Sequence, residues 1–526
     1  MPISGPKRDS PFALADLLDA GLDADPSGPA VITGGQSLSW AQLDEHSTRL
    51  ARGYVAMGLQ PGERVASVMP NRPALIVHYL ACLKAGLVAT PLNYRYKAPE
   101  IDHALEVSEA SLLVYHAERD ADIAASQLVP GLSAGTLRFG ADELPVDEDP
   151  GASRLEDLIQ ASPDSVSLPR IHPDAPFFVF FTSGSTGPAK GVTHTVETAG
   201  WMVELLRSGL ELTAGDVILT TTSHSHIGAT LFTLAAFGAG APLVMAKTPA
   251  SAEVLPLLRQ YRPTVTKVLP SNFYSLINDD ACERVDFASL RYVASGGDKA
   301  PGILERQFEE LFGGQMSEIY GLTEAGVITI TPPGGPNKQG SAGRPGPGVT
   351  LSVRDETGAE LEPGQVGRLW IRYPGVTVGY WNHPEATAEV FEDGWFDTGD
   401  LVRVDEDGYL WFSGRRKQII VHDGSNIAPQ EVEAALLEHP AVSRAGVVGV
   451  HDTKHGEDVW AYVSMRPQAE PATPGELIAF AAERVGYKAP EVVVALDELP
   501  VNSTGKTDRT ALKRMAAEMH DAHIVC

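Results

Sequence analysis

The chain has 526 residues, which is too long for one compact core and predicts at least two domains. Its formal charge of −27 disfavours binding to nucleic acid or to an anionic membrane surface, so an anionic ligand needs a locally positive pocket. Hydrophobic residues make up 43% of the chain, which is ordinary for a globular protein.

The cysteines and the apolar runs indicate in which cellular compartment the protein is expected. Cys82, Cys282 and Cys526 are far apart and odd in number, so they predict free thiols in a reducing cytoplasm, not disulfides or a metal site. Residues 1–21 do not have the pattern of a signal peptide. The longest apolar run, 231–246, is short for a bilayer span and contains Gly and Pro, so we expect it in the core. We expect a cytoplasmic protein without stable membrane insertion, and a homodimer stays open.

Up to about residue 400, helical patterns alternate with short β-branched or aromatic runs. Residues 72–86 have apolar residues at helical spacing and end in glycine, which predicts a helix. The runs typical of buried strands are 111–116, 177–181, 242–246, 264–270 and 291–297. Strands separated by helices predict parallel-rich sheets covered by helices on both faces.

After about residue 340, turn signals become dense and short strands lie between them, which predicts a β-rich subdomain. Further on, Pro429 opens a helix with an acidic first turn. The remaining chain is typical of a small α+β unit, and we place the boundary near 414–418. The predicted class is α/β, with a large N-terminal domain, a β-rich subdomain and a small C-terminal domain.

The stretch "FTSGSTGPAKG" at 181–191 is a candidate phosphate-binding loop. It follows a predicted buried strand, and its glycines, hydroxyls and lysine are suited to surround phosphate oxygens. It does not fit the Walker pattern, because Ala189 stands where glycine is required and no Ser or Thr follows Lys190 directly. As an isolated loop, a structural turn is an equal alternative. The candidate residues are Thr182, Ser183, Gly184, Ser185, Thr186, Gly187 and Lys190.

The loop closely resembles the phosphate loop of the adenylate-forming superfamily, which comprises acyl-CoA synthetases, peptide-synthetase adenylation domains and luciferases. The resemblance is closest to AMP-forming acyl-CoA synthetases and covers nearly the whole chain. Further segments match the family's motifs in the same order: "SHSHIGA" (223–229), "SGGDKAP" (295–301), "YGLTEAG" (320–326), "GRPGPGV" (343–349), "GYWNHPEATAEVF" (379–391), "WFDTGDL" (395–401), "GRRKQII" (414–420) and "LPVNSTGK" (499–506).

The resemblance implies an enzyme that uses ATP, Mg²⁺ and coenzyme A. A carboxylic acid attacks the α-phosphate of ATP, which gives an acyl-adenylate and pyrophosphate, and the thiol of coenzyme A then displaces AMP. It also implies an N-terminal adenylating domain at 1–414, a hinge at 415–418 and a mobile C-terminal domain at 419–526. Rotation of the small domain lets one site serve two reactions.

Several residues are assigned to the reacting groups by the resemblance. The 181–191 loop is implied to bind the β- and γ-phosphates. Glu324 and Thr182 are implied to hold Mg²⁺ between protein and phosphates. Thr323 is implied to contact the α-phosphate. Lys506 is implied to be the catalytic lysine, which bridges carboxylate and α-phosphate oxygens; an exposed turn lysine is its ordinary alternative.

The adenosine site is implied by four positions. Tyr320, followed by Gly321, corresponds to the residue that stacks on adenine. Asp400 corresponds to the carboxylate that accepts from both ribose hydroxyls, and Arg415 to a second ribose contact. Without the resemblance, a core tyrosine and a surface salt bridge would be the ordinary interpretations.

A further segment, Gly296, Gly297 and Asp298, is implied to lie along the adenine and the acyl pocket. Many relatives have alanine at the position of Asp298, and asparagine at that of Glu318. These two departures leave the details of adenine recognition open, not the use of ATP.

His226 matches the family's gate between acyl pocket and thiol tunnel. His224 precedes it by two residues, so on a strand the two rings would face one side. Because no carboxylate or cysteine lies nearby in the sequence, we disfavour a metal there and expect His224 to be structural.

The hinge is assigned to Lys417, where many relatives have aspartate, and Gln418 stands where aspartate is usual. After adenylation, the loop at 421–427 is implied to enter the site, with Gly424 letting pantetheine pass close to the backbone.

The acyl pocket is expected to be apolar, with no cation to hold a second carboxylate. It therefore predicts a fatty, aryl or terpenoid-like monocarboxylic acid, and core packing is the alternative role of these residues. The expected lining comprises Ile227, Gly228, Phe232, Phe273, Gly296, Leu322, Val327 and Ile328.

The predicted acceptor is coenzyme A. The alternative is a free-standing adenylating enzyme that loads a carrier protein. A catalytically silent relative that senses nucleotide or fatty acid is disfavoured by the intact Lys506, Glu324, Asp400 and Arg415. Nothing beyond the shared fold supports a luciferase-like oxygenase.

Overall fold

The computed structural model describes residues 2–140, 153–161, 164–182, 189–298, 300, 302–422, 425–452, 456–466, 469–470, 472–502 and 506–524. Its α-helices are α1 (Asp19–Ala24), α2 (Trp40–Ala56), α3 (Pro73–Ala85), α4 (Ala98–Ser108), α5 (Asp120–Ala125), α6 (Leu155–Ala161), α7 (Val196–Gly209), α8 (Ile227–Gly238), α9 (Ser251–Tyr261), α10 (Pro270–Ile277), α11 (Gly302–Phe312), α12 (Pro384–Ala388), α13 (Pro429–Leu437), α14 (Pro474–Val485) and α15 (Arg509–Ile524).

The strands, in chain order, are β1 (Ile3–Ser4), β2 (Pro29–Thr33), β3 (Gln36–Ser39), β4 (Arg64–Val68), β5 (Val88–Pro91), β6 (Leu112–His116), β7 (Thr136–Phe139), β8 (Pro176–Phe181), β9 (Gly191–Thr195), β10 (Ile218–Thr220), β11 (Leu243–Met245), β12 (Val265–Val268), β13 (Tyr292–Ser295), β14 (Met316–Glu318), β15 (Tyr320–Leu322), β16 (Gly326–Ile330), β17 (Arg344–Pro345), β18 (Thr350–Arg354), β19 (Val366–Arg372), β20 (Gly379–Tyr380), β21 (Phe391–Glu392), β22 (Trp395–Val404), β23 (Leu410–Arg415), β24 (Ile420–His422), β25 (Ser425–Ile427), β26 (Val442–Asp452), β27 (Gly456–Met465) and β28 (Val492–Ala495).

Two seven-stranded sheets dominate the N-terminal part. One has the order β14-β13-β12-β10-β11-β2-β3, and the other β20-β9-β8-β5-β4-β6-β7. The pairs in each are parallel except at one edge, where β2 meets β3 and where β8, β9 and β20 run antiparallel. The predicted α/β class with parallel-rich sheets is confirmed, and the predicted strands at 111–116, 177–181, 242–246, 264–270 and 291–297 each contain a strand.

Helices α3, α7 and α8 lie between the two sheets. The largest buried cluster joins residues from all three helices with strand residues from both sheets, such as Val31 and Val65. Helix α3 is apolar on nearly every side because it is enclosed, and it ends at Gly86, whose φ of 67° suits a left-handed helix cap. The apolar run at 231–246 forms part of α8 and β11 and lies in this core, as expected.

The β-rich part consists of a six-stranded and a three-stranded sheet, built from β1, β15–β19 and β21–β23. The six-stranded sheet ends at Arg415, a single 3₁₀ turn occupies Arg416–Gln418, and a separate five-stranded sheet begins at Ile420. That last sheet packs α13 and α14 on one face and α15 on the other. Among the helices of the described ranges, none combines the length and apolar character needed to cross a bilayer.

Candidate active site

The candidate phosphate loop is closed at its base by its two flanking residues. Thr182 N–H donates to the Lys190 carbonyl at 3.2 Å, where the antiparallel strands β8 and β9 end and begin. Five of the predicted phosphate-binding residues lie outside the described residues: Ser183, Gly184, Ser185, Thr186 and Gly187. The structure therefore places the two ends of the loop, Thr182 and Lys190, both partly buried.

Tyr380 connects this loop with the candidate metal residue. The Lys190 ammonium lies 4.9 Å from the centre of the Tyr380 ring, which is a cation–π distance. The Tyr380 hydroxyl donates to Glu324 Oε1 at 3.0 Å. Tyr380 was not among the site residues predicted from the sequence, although it lies in the matched segment 379–391. Tyr380 thus contacts a cation with the face of its ring and a carboxylate with its hydroxyl.

The Glu324 carboxylate is suited to a hard cation. Burial raises the pKa of Glu324, and the Tyr380 hydrogen bond acts in the opposite direction. A carboxylate that is poorly hydrated gains from a neighbouring cation, so Glu324 fits the Mg²⁺ role that the resemblance implies. The backbone here is held from two sides, because the His194 Nε2–H donates to the Thr323 carbonyl at 2.8 Å and Thr377 N–H donates to the Glu324 carbonyl at 2.6 Å.

Asp400, Tyr320 and Arg415 form one cluster at the edge of β22. The Tyr320 hydroxyl donates to Asp400 Oδ2 at 2.6 Å, and Arg415 Nε lies 3.2 Å from Oδ1. Asp400 is only 2% exposed, yet within the described residues its Oδ1 accepts no hydrogen bond. Burial raises the pKa of the Asp400 carboxyl, against the charge of Arg415. Beside its ion pair with Arg415, Oδ1 therefore keeps the capacity to accept a hydrogen bond from a ribose hydroxyl.

Tyr320 is largely enclosed, and its ring lies nearly parallel to Phe412 at 6.1 Å. Gly321 is required by sterics, because a Cβ there would lie 2.2 Å from the Gly326 carbonyl oxygen. The structure therefore brings Tyr320 and Gly321 next to the Asp400 cluster, and adenine stacking on Tyr320 stays a prediction.

The segment at 296–298 lies at the end of β13. A Cβ on Gly296 would lie 2.6 Å from Ile319 Cγ1, and Gly297 has a φ of 100°, so both positions favour glycine. Asp298 is exposed, and its charge acts on Lys506 and Arg415. Glu318 instead points into the backbone, where it accepts from Ala300 N–H at 2.5 Å.

The charge of Lys506 acts on the Asp400 cluster. Asn502 binds the backbone of Lys506, since its N–H donates to the Lys506 carbonyl and its Oδ1 accepts from Lys506 N–H at 3.1 Å. Burial lowers the pKa of Lys506, while the negative charges of Asp298 and Asp400 act in the opposite direction. The C-terminal sheet is thus arranged with the predicted catalytic lysine directed at the N-terminal site.

His226 is close enough to Lys506 for the charge of the lysine to act on its ring. Burial, together with the charges of Lys506, Lys267 and Arg95, lowers the pKa of His226 to about 4, so the ring is neutral at pH 7. Its Nε2 accepts from the Asn93 side-chain amide at 3.3 Å.

The two histidines do not lie on a strand, and the expectation that His224 is structural is confirmed. His224 lies in a turn and His226 is the N-cap of α8, because the apolar run that follows begins the helix. The His224 ring is buried between Asn71 Oδ1 at 3.1 Å and Thr233 Oγ1 at 2.8 Å, which is a structural role.

The expected acyl lining is only partly brought together. Phe273 packs against Phe287 and Phe308 in a separate cluster, away from the buried cluster that contains Ile227 and Val327. Its predicted place in the pocket is therefore wrong, because α10 packs on the opposite face of the sheet. Phe232 and Ile328 are also fully enclosed and act as core.

The expectation of a pocket without a cation is wrong as well. Lys267, on β12, is 7% exposed and lies beside Gly228, where an added Cβ would be 3.7 Å from its ammonium nitrogen. A lysine inside the apolar run 264–270 was the signal in the sequence that could have found it. It places a second positive charge near His226 and Lys506.

The structure describes the predicted hinge residues Lys417 and Gln418 in different detail. The backbone of Lys417 lies in the 3₁₀ turn Arg416–Gln418 between the two sheets. Gln418 Oε1 accepts from the Gln430 amide at 3.4 Å. Gly424 lies outside the described residues.

Comparison with known families identifies both parts of the chain. The sequence profile of AMP-binding enzymes matches residues 18–381, and that of the AMP-binding enzyme C-terminal domain matches residues 431–506. The resemblance inferred from the motifs is therefore confirmed.

Individual relatives match along almost their whole length. A feruloyl-CoA synthase of Amycolatopsis sp is 34% identical, with 93% of this chain and 96% of the relative covered. The fatty acid–[acyl-carrier-protein] ligase ScoC of Streptomyces coeruleorubidus is 32% identical, with 93% of each chain covered. The crystal structure of ATP-bound MatB from Rhodopseudomonas palustris superposes with a TM-score of 0.87 at 28% identity, covering 96% of this chain and 98% of that one.

Proposed function

The chain belongs to the AMP-binding enzyme family and is an ATP-dependent, AMP-forming acyl-CoA ligase, and we propose that it activates a largely apolar carboxylic acid of the aryl, fatty or terpenoid-like kind. The names of the relatives, which include a feruloyl-CoA synthase and a long-chain-fatty-acid–CoA ligase, support this acid class. ATP, Mg²⁺ and coenzyme A are the cosubstrates and cofactor of the reaction.

One observation carries the assignment of the site, and it is the position of Lys506. Its charge acts on Asp400, at the proposed ribose site, and on His226, at the proposed acyl site. A lysine between these two points can neutralise the reacting carboxylate and α-phosphate oxygens as they approach, which lowers their repulsion. We assign adenylate formation to the arrangement in which Lys506 faces the site.

The remaining residues would bind and orient ATP. The Asp400 carboxylate, with Arg415 beside it, would accept from the ribose hydroxyls, and Tyr320 would cover the adenine. Glu324, supported by Tyr380, would hold Mg²⁺, which when bound neutralises triphosphate charge. Thr182 and Lys190 would position the loop between them against the terminal phosphates.

We further propose that residues 415–418 are a hinge. The chain passes from β23 to β24 through the short 3₁₀ turn Arg416–Gln418 and Ile419, so a rotation there would remove Lys506 and bring the 421–427 loop toward the site. His226, neutral and held by Asn93, would then lie where the thiol approaches the adenylate.

The proposed function and its alternative differ in the molecule that accepts the acyl group from the adenylate. The relative ScoC is named as a ligase for an acyl-carrier protein, so a carrier protein is the second candidate acceptor. The test is ATP-dependent AMP release with a panel of carboxylic acids, with and without coenzyme A. AMP release that needs both an acid and coenzyme A supports the proposal and identifies the acid class. Acid-dependent exchange of pyrophosphate into ATP, without turnover on coenzyme A, would support the carrier-protein alternative instead.

A further inference from the structure

Lys267 is a buried cation without a counter-ion. Its side chain lies on β12 in the interior of the sheet and is 7% exposed. Its ammonium group forms no hydrogen bond or ion pair with any residue in the described ranges. A buried ammonium without a partner is strongly unfavourable, so such groups are normally paired or serve a ligand.

The surroundings of Lys267 oppose its charge. The ammonium lies beside Gly228, in the first turn of α8, and the N-terminus of a helix carries partial positive charge. His226, the N-cap residue, makes no side-chain cap, so the first N–H groups of α8 have no side-chain acceptor there. The ammonium group therefore lies beside the first turn of a helix whose N-cap side chain supplies no acceptor, and both the ammonium and the first N–H groups require one.

Two further features keep this point open to a ligand. Glycine at 228 is a poor helix former, but it leaves the space beside the Lys267 ammonium free of a side chain. Lys506, the proposed catalytic lysine, is near enough for its charge to act on Lys267. Burial and Lys506 lower the pKa of Lys267 to about 8, so at pH 7 it still carries its proton and can donate.

We propose that Lys267 and the first turn of α8 bind an oxygen acceptor on the acyl group of the acid, such as a hydroxyl, oxo or second carboxylate group. This inference rests on the proposed function, because it names a feature of the acid that the same site activates. Lys506 serves the reacting carboxylate and Lys267 serves the second oxygen group. A wholly apolar acid would leave the Lys267 ammonium unpaired, so the enzyme should select against it.

The test compares acids that share one carbon skeleton. Benzoate, 4-hydroxybenzoate and terephthalate form one series, and octanoate, 8-hydroxyoctanoate and octanedioate form another. The ratio of kcat/KM for the oxygen-bearing acid to that for the plain acid is measured in wild type and in Lys267→Met. Methionine has a similar length and no charge, so this variant should fold. Lys97→Met, on the exposed surface, is the matched control.

We expect the wild type to prefer an oxygen-bearing acid in at least one series. Lys267→Met should reduce that preference about tenfold or more, the factor typical of a hydrogen bond to a charged group, while use of the plain acid is retained. Preference for the hydroxy acid points to a neutral acceptor, and preference for the diacid to a second carboxylate. Lys97→Met should keep the wild-type ratio.

The pH dependence of the ratio gives a second readout. The groups whose charges act around Lys267 are Lys506, His224 and His226, and both histidines are neutral above pH 5. Lys506 serves both acids, so its titration cancels in the ratio. The wild-type preference should therefore fall as the pH rises through about 8, and the Lys267→Met ratio should stay flat.

Two outcomes would overturn the inference. If wild type and Lys267→Met have the same ratio of kcat/KM values, or if both prefer the plain acids, then Lys267 does not bind an oxygen group of the acid. The ligase assignment would stand in that case. If no acid in either series supports AMP release, the proposed acid class fails and this inference fails with it.

Discussion

The Tyr380 hydroxyl donates a 3.0 Å hydrogen bond to Glu324 Oε1, while the Lys190 ammonium faces the same ring at 4.9 Å. One tyrosine thus links the base of the candidate phosphate loop with the candidate Mg²⁺ carboxylate. The hydrogen bond stabilises the ionised form of Glu324, whose pKa burial raises.

Tyr380→Phe should weaken the use of Mg·ATP. It keeps the ring under Lys190 but removes the hydroxyl, so the pKa of Glu324 rises further and the acid limb of the adenylation rate moves to higher pH. We expect KM for Mg·ATP to rise about tenfold near neutral pH, as for loss of a hydrogen bond to a charged group. Tyr373→Phe is the control, because that buried hydroxyl has no hydrogen-bond partner within the described residues. An unchanged pH profile in Tyr380→Phe would show that the hydroxyl does not act through Glu324.

Asp400→Asn should remove the preference for ribose over deoxyribose. In wild type, Oδ1 accepts no hydrogen bond within the described residues and is proposed to accept one from a ribose hydroxyl, so replacing ATP with 2′-deoxyATP should raise KM about tenfold. The variant should bind ATP more weakly but discriminate little between the two nucleotides. Steady-state kinetics of both enzymes with both nucleotides form a double-mutant cycle. Equal discrimination in the two enzymes would remove Asp400 from the ribose site.

Lys506→Ala should separate the two half-reactions. Loss of the charge between carboxylate and α-phosphate should slow adenylate formation about 10²- to 10³-fold. Thioester formation from a supplied acyl-adenylate should survive, because Lys506 leaves the site in the proposed second arrangement. Pyrophosphate exchange and thiolysis measure the two steps, with the exposed Lys513→Ala as control. Equal loss of both steps in a folded variant would contradict the proposed role.

Glu433→Gln should destabilise the C-terminal domain. Both Glu433 oxygens contact Arg509 Nη2, at 2.7 and 2.6 Å, and Oε1 also accepts from Val447 N–H. Arg509 follows Lys506 by three residues, so this largely buried pair lies close in sequence to the proposed catalytic lysine. Breaking one partner of a buried pair should cost about 3 kcal/mol of unfolding free energy.

The control for Glu433→Gln lies on the same helix. Glu431 pairs with Lys488 at the surface, so Glu431→Gln should cost less than about 1 kcal/mol. Denaturant unfolding of both variants measures the difference. Equal effects would mean that the Glu433–Arg509 pair does not stabilise this domain.

Asp216→Asn should change the response of the N-terminal domain to acid. Burial disfavours the Asp216 carboxylate, but hydrogen bonds from Arg291 and Thr264 outweigh it and lower its pKa to about 2. Since this value lies below that of an unfolded chain, the stabilisation is present above about pH 4 and is lost as the pH falls toward 2. At pH 7 the variant should lose roughly 2 kcal/mol of unfolding free energy.

The difference between wild type and Asp216→Asn should shrink as the pH falls below about 4, because the carboxyl of the unfolded wild-type chain then takes up a proton while the folded one does not. Denaturant midpoints at pH 7 and pH 3.5 test this, with Asp280→Asn, an exposed aspartate, as control. A difference that is independent of pH would mean that the charge of Asp216 is not the source of its stabilisation.

Local sequence patterns determined much of the architecture and of the motif positions. Five predicted strands and the helix at 72–86 were correct, because β-branched runs and helical spacing act over a few residues. The resemblance assigned both Asp400 and Arg415 to the ribose, and the structure pairs the two residues across β22 and β23. Patterns left the element at 223–229 open, and the apolar run that follows His226 begins α8 there.

Contacts between distant residues were decided only by the tertiary structure. Tyr320 reaches Asp400 across 80 positions, and Tyr380 reaches Glu324 across 56. The sequence by itself placed Lys267 in a buried strand, but only the packing of α8 against that strand directs its ammonium at Gly228. The physical reason is that motifs and hydrophobic periodicity specify which residues are polar, enclosed or constrained, whereas the face on which a buried charge meets its ligand depends on how separate elements pack.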